Sequence, residues 1–175
     1  MELLRENIPT SLSSIYTWAY NDAQVVRDKD SGTYYYNIKS KGYLEQGVFE
    51  LVVAEKALHF AIYFATDAPG VVVGQATLII YFDDDSFDSA IIPLVFVNPD
   101  KQNYVKIEHT YTTPKEKRIQ RTIVRVQNKH TADLRVSSVS LTYDKDEAEL
   151  EQYDLKKFQD NVILYGLDAN KPKLR

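Results

Sequence analysis

Hydrophobic and polar positions alternate with a period of two along most of this chain. In Ala57–Thr66, Leu58, Phe60, Ile62 and Phe64 interleave with Ala57, His59, Ala61, Tyr63 and Ala65. Successive strand side chains face opposite ways, so this pattern predicts a strand with its Leu/Phe/Ile side on a core. Gln75–Phe82 repeats it, with Ala76, Leu78, Ile80 and Phe82 on one side, and ends in the turn chemistry of Asp83-Asp84-Asp85-Ser86. Ile91–Val97 is nearly all apolar; Pro93 inside it lacks a ladder donor, which predicts an edge or a bulge. After the turn Asn98-Pro99-Asp100, three more alternating segments follow: Tyr104–Thr112, Ile119–Gln127 and Asp133–Tyr143. Upstream, Ser14–Tyr20, Tyr34–Ser40 and Val48–Val53 are further strand candidates. The total is about eight or nine strands at the ~8–12-residue spacing of a β-sandwich.

The C-terminal part changes character. Asp144–Asp160 is rich in Glu, Ala and Leu, with acids early and Lys156-Lys157 late, which predicts one short helix. Asn161–Arg175 reads as a tail with one apolar plug, Val162–Leu167. The expected organisation is a β-sandwich domain over 1–143 and a helix with extension over 144–175.

Composition narrows the function classes. The 175 residues carry 21 Lys and Arg against 25 Asp and Glu, for a formal charge of −4, which counts against a nucleic-acid binder. There is no cysteine, so disulfides, thiolate nucleophiles and Cys-ligated zinc are excluded. The N-terminus has no basic start followed by an apolar stretch, and the apolar runs reach only half of the ~20 residues of a membrane helix. A protein without a cleaved signal and without a membrane partner is expected. The 13 Tyr, 7 Phe and single Trp point to aromatic surfaces. No G-x-S-x-G, Gly-rich phosphate loop or H-E-x-x-H occurs, so no enzyme and no cofactor are expected.

Tyr104–Asp144 has a definite order: an aromatic-led strand, a Pro-containing turn, a strand ending Arg125-Val126-Gln127-Asn128, a polar turn, and a strand ending Val136-Ser137-Ser138-Val139-Ser140-Leu141. This resembles the closing half of the jelly-roll sandwiches of many carbohydrate-binding modules, which often end in a strand of the form V-x-D-D-V-S-L. The two acids are Ser137 and Ser138 here, a departure that counts against calcium at that place. Ala57–Asp85 is similar to the preceding half. Such domains also occur in bacteriophage tail and appendage proteins. The resemblance implies an all-β jelly-roll β-sandwich with a short C-terminal helix or tail.

Alternation puts His59, Tyr63, Thr77, Tyr81, Tyr104, Lys106, Glu108, Arg121 and Arg125 on one expected face. Sugars are held by aromatic rings on their C–H faces and by polar groups on their hydroxyls. Tyr63, Tyr81 and Tyr104 with Glu108 and Arg125 suit that task, and Trp18 could serve as a loop platform. The same tyrosines equally suit packing at a sheet edge or subunit interface, and Trp18 a core anchor. Asp83-Asp84-Asp85 with Asp88 offers oxygen ligands but lacks the spacing of a calcium loop, and no metal is expected. Leu150, Tyr153, Phe158, Val162, Leu164 and Tyr165 are too few for a core of their own and are expected to bury against a neighbour.

The leading expectation is a non-enzymatic structural or adhesion protein of a virion, a phage tail, neck or appendage component. It would assemble with itself or other virion proteins and be located in the virion. The alternative is a carbohydrate-binding module for a cell-surface or polysaccharide glycan.

Overall fold

The structure, a computed structural model, describes residues 2–52, 54–67, 71–96 and 104–143. The expected C-terminal helix and the assembly residues Leu150, Tyr153, Phe158, Val162, Leu164 and Tyr165 lie outside them, as does the turn at Asn98–Asp100.

Eight antiparallel strands follow a six-residue 3-10 turn, Leu12–Thr17: β1 Ala19–Arg27, β2 Tyr34–Val52, β3 Ala57–Thr66, β4 Val71–Phe82, β5 Phe87–Phe96, β6 Val105–Thr112, β7 Ile119–Asn128 and β8 Leu134–Thr142. Hydrogen bonding runs in the order β5-β4-β7-β2-β8-β3-β6, with β1 on β2. This order folds into two layers. The Phe64 ring of β3 lies 6.0 Å from the Phe96 ring of β5, although the two strands stand far apart in the order. At the open side, Tyr111 Oη of β6 donates to Asp88 Oδ2 of β5 at 2.9 Å, so the sheet nearly closes. The fold is the all-β jelly-roll sandwich that the alternation and the resemblance imply.

β2 makes the two layers one unit. Its first part pairs with β8 (Tyr36↔Val136, Ile38↔Leu134) and its second with β7 (Tyr43↔Gln127 to Val52↔Ile119). The strand turns the corner at 39–42, where Lys41 takes φ +63°. A Cβ on Gly42 would come within 2.6 Å of Asp22 O, so the backbone of β1 closes on β2 only because residue 42 has no side chain. Inside the corner, fully buried Asn128 donates from Nδ2 to Ile38 O at 2.9 Å and Ala132 O at 2.8 Å, and accepts from His130 N at 2.9 Å. A strand that bends and changes partner is the ordinary corner of a sheet sandwich.

The core follows the predicted period. Leu58, Phe60, Ile62, Phe64, Leu78, Ile80, Phe82, Val124, Val126, Val139 and Leu141 are all buried, joined by Tyr36, Ile38, Leu44, Leu94 and Phe96; Val105 and Ile107, expected inside, are half-buried at the β6 edge. Pro93 sits in edge strand β5, opposite Gln75. Several strand expectations differ from the structure: β4 and β5 begin four residues earlier than expected, at Val71 and Phe87, and two upstream differences are larger. Ser14–Tyr20 opens as the 3-10 turn because Ser14 Oγ accepts from Thr10 N (3.1 Å) and Ser11 N (3.2 Å) and donates to Glu6 (2.9 Å), local bonds that compete with a ladder. Tyr34–Ser40 and Val48–Val53 are two ends of the single strand β2, whose middle is masked in the pattern by Lys39, Lys41, Gly42, Glu45 and Gly47.

Candidate functional site

The outer face of the β1-β2-β7-β4-β5 layer forms a grid whose rows follow from register. Strand alternation turns every second residue outward, and the pairings align them as Tyr43–Gln127–Gln75–Pro93, Glu45–Arg125–Thr77–Ile91, Gly47–Ile123–Ile79–Ser89 and Phe49–Arg121–Tyr81–Phe87. Phe49 and Phe87 are 72% and 69% exposed, and Ile91 is 65% exposed. Exposed apolar side chains clustered on one sheet face mark a contact surface more often than chance.

Two arginines on β7 organise the polar part. Arg125 lies over the Tyr43 ring at 4.7 Å and binds Glu45 Oε2 through Nε and Nη2, both at 2.6 Å. Arg121 lies between the Phe49 ring at 5.0 Å and the Tyr81 ring at 5.7 Å, and Tyr81 in turn packs on Phe87 at 6.2 Å. Each is a cation–π contact, which holds the planar guanidinium without consuming its in-plane N–H groups. Gln75, Thr77 and Gln127 supply further donors and acceptors. Chemically the face offers aromatic and aliphatic platforms beside hydrogen-bonding amides, a hydroxyl and guanidinium groups.

The nine residues expected together are divided between the two layers. Thr77, Tyr81, Arg121 and Arg125 belong to this grid. His59, Tyr63, Lys106 and Glu108 stand on β3 and β6, in the opposite layer, where Tyr63 pairs with Lys106 and Ala61 with Glu108. The separation arises because β2 bends: strands of equal parity on either side of the corner face away from each other. On that second face, Lys106 pairs with Glu108 and lies 5.6 Å from the Tyr63 ring centroid. His59 Nδ1 meets Thr110 Oγ1 at 3.3 Å. Tyr104 precedes β6 beside Arg135, and burial pushes its hydroxyl up to about 12, against the pull of the Arg135 charge. Trp18 is 3% exposed; it donates from Nε1 to Tyr36 Oη at 3.1 Å and packs edge-on to that ring, so it is a core anchor and offers no platform to solvent.

The acidic turn after β4 is occupied by its own donors. Asp84 Oδ1 accepts from Ser86 N (3.1 Å) and Ser86 Oγ (2.5 Å), bonds that lower its pKa, while Asp83 Oδ1 accepts from Arg118 N at 3.3 Å. No group of three His, Asp or Glu suited to a metal ion occurs among the described residues.

Tyr43, Glu45, Phe49 and Phe87 were not expected at a site. Phe49 carried no usable signal, because it shares its phase with Leu51 and Val53 while the charged Glu50 falls on the phase of Val48, so local alternation would turn Phe49 inward. Phe87 opens β5 directly after the acidic turn, and nothing in its local sequence marked it as a surface residue.

No family model matches the chain, and no curated protein does. Among solved structures, "Family 16 Carbohydrate Binding Module-2" superposes with a TM-score of 0.58 at 11% identity, over 80% of this chain and 99% of that one. The enzymatically active domain of bacteriophage CBA120 tailspike protein 4 gives 0.61 at 7% identity, over 82% of this chain but 21% of that one. TmCBM61 in complex with beta-1,4-galactotriose gives 0.52 at 13% identity, over 82% and 99%. At such identities these likenesses establish the fold.

Proposed function

We propose that this protein is a non-catalytic carbohydrate-binding module whose recognition surface is the grid on β2, β7, β4 and β5. The observation that carries the reading is the row Phe49–Arg121–Tyr81–Phe87, with its two end rings largely in solvent beside the polar row Glu45–Arg125–Thr77. Rings of this kind stack on the C–H faces of a pyranose, and the neighbouring amides and hydroxyl bond its edge. Two of the three structural neighbours named above are carbohydrate-binding modules, which supports the reading.

The test is binding of the purified chain to a broad panel of polysaccharides and oligosaccharides, with reducing ends measured alongside. Saturable binding without release of reducing ends is expected. Tyr81→Ala with Phe87→Ala should abolish it, whereas Tyr63→Ala on the opposite layer should leave it unchanged. Loss with Tyr63→Ala and none with the pair would place recognition on the other face and sink the proposal.

The tailspike likeness supports a second reading, a virion structural or adhesion protein, with residues 145–175 as its proposed assembly segment. The native mass of the full chain against residues 1–143, with the glycan panel, separates the two: a fall in oligomer mass in a chain that binds no glycan supports assembly as the primary role.

A further inference from the structure

Resting on the glycan-binding reading, we infer that the sugar taken by this face is acidic, with the Arg121 guanidinium receiving its carboxylate. On the four register rows Glu45 is the one carboxylate, and Arg125 takes it. Among the described residues Arg121 has no such partner: its contacts are the two rings at 5.0 and 5.7 Å, and its shielded Nε has no hydrogen-bond partner there. The Nε is shielded, so the groups left to meet a ligand are the two Nη amines, which no carboxylate among the described residues takes. Phe49 and Tyr81 take up its flanks through register, so what remains to bond is the in-plane Nη1–Nη2 end, which matches the two oxygens of a carboxylate.

Gly47 leaves that fork open. A Cβ built on it meets nothing nearer than Arg121 Nε and Nη2, both at 3.8 Å, and residue 47 is exposed. Any longer side chain there would lie over the Nε–Nη2 edge. The missing side chain therefore leaves the Nη2 side of the guanidinium uncovered beside the exposed Phe49 ring. A uronic acid fits this chemistry, with its ring against Phe49 and its carboxylate on Arg121. The chain as a whole has a charge of −4, so attraction for an anion must come from a local surplus such as this one.

The experiment compares polygalacturonate and alginate with neutral galactan and with dextran sulfate, using the full chain at about 20 and about 300 mM NaCl. Uronate binding that weakens with salt is expected. Arg121→Gln should lower affinity roughly ten- to a hundredfold, as for a lost charge-assisted bond. Arg121→Lys should restore only part of it, because the fork is gone. Gly47→Leu should also lose binding with every charge retained, while Gly47→Ala, at ordinary contact distance, should not. Both glycine variants are on an exposed position and should melt as the parent does. Neutral galactan bound equally well, with Arg121→Gln silent, would overturn the acidic reading and leave glycan binding standing. Dextran sulfate bound in preference to uronates would overturn the choice of carboxylate. No binding to any polysaccharide would overturn glycan binding itself, and this inference with it.

Discussion

Asn128 is where the architecture that carries the site can be broken most cleanly. Its side chain is fully buried, and it satisfies three backbone groups: the carbonyls of Ile38 and Ala132 and the N–H of His130. Asn128→Ala orphans all three. The Ile38 bond is buried and should cost about 2 kcal/mol, while the other two are partly accessible and should cost about 0.5–1 kcal/mol each. The sum is about 3–4 kcal/mol, which for a chain of this size lowers Tm by roughly 6–15 °C. Asn128→Asp is nearly isosteric but turns two donations into a carboxylate facing two carbonyl oxygens. At neutral pH it should lose at least as much as the alanine variant. Urea unfolding followed by circular dichroism gives both numbers. An alanine variant within about 1 kcal/mol of the parent, or an aspartate variant as stable as the parent, would refute the claim that this hydrogen-bond set holds the corner.

Three further outcomes are expected. Burial raises the Tyr36 hydroxyl to about 12, while the bond donated by Trp18 pulls the other way. The stabilisation is therefore complete below the unfolded value near 10 and lost as pH climbs from about 10 to about 12, by on the order of 2 kcal/mol. Urea midpoints across that range should fall less steeply for Tyr36→Phe than for the parent. Gly74→Ala places a Cβ 2.3 Å from Gln127 O at the β4 bulge and should destabilise by roughly 2–3 kcal/mol, read as a lowered urea midpoint. Arg125→Gln removes an ion pair that is open to solvent, so thermal melting should register less than about 1 kcal/mol, whereas glycan affinity should drop.

How much of this was legible before folding varies by element. The strand Ala57–Thr66 could be read because its inward positions Leu58, Phe60, Ile62 and Phe64 are large and apolar against mostly smaller or polar neighbours, until its end, where Ala65 and Thr66 are both buried. β1 could not, because Val25 is its one buried residue and an edge strand with so little inside shows no alternation. β2 was read as two pieces because its corner needs glycine and charged residues where a straight strand would have apolar ones. Of the candidate glycan residues, Tyr81 and Arg125 lie on the proposed surface. Tyr63 and Glu108 stand in the other layer, Tyr104 precedes β6 beside Arg135, and Trp18 is enclosed.

Local pattern by itself determined that the chain is all-β, where β3, β6, β7 and β8 begin and end, and which side of those strands faces the core. These follow from a period of two and from turn chemistry, both of which act over a few residues. Which outward residues share a face was decided only in three dimensions. Parity is defined within one strand, and carrying it to the next requires knowing the partner, the register and the side of the bend in β2. Phe49, Arg121, Tyr81 and Phe87 come from four strands, of which only β4 and β5 are joined by a hairpin, and they meet in one row because β7 enters between β2 and β4. Long-range pairing of that kind leaves no mark on any single stretch of the sequence.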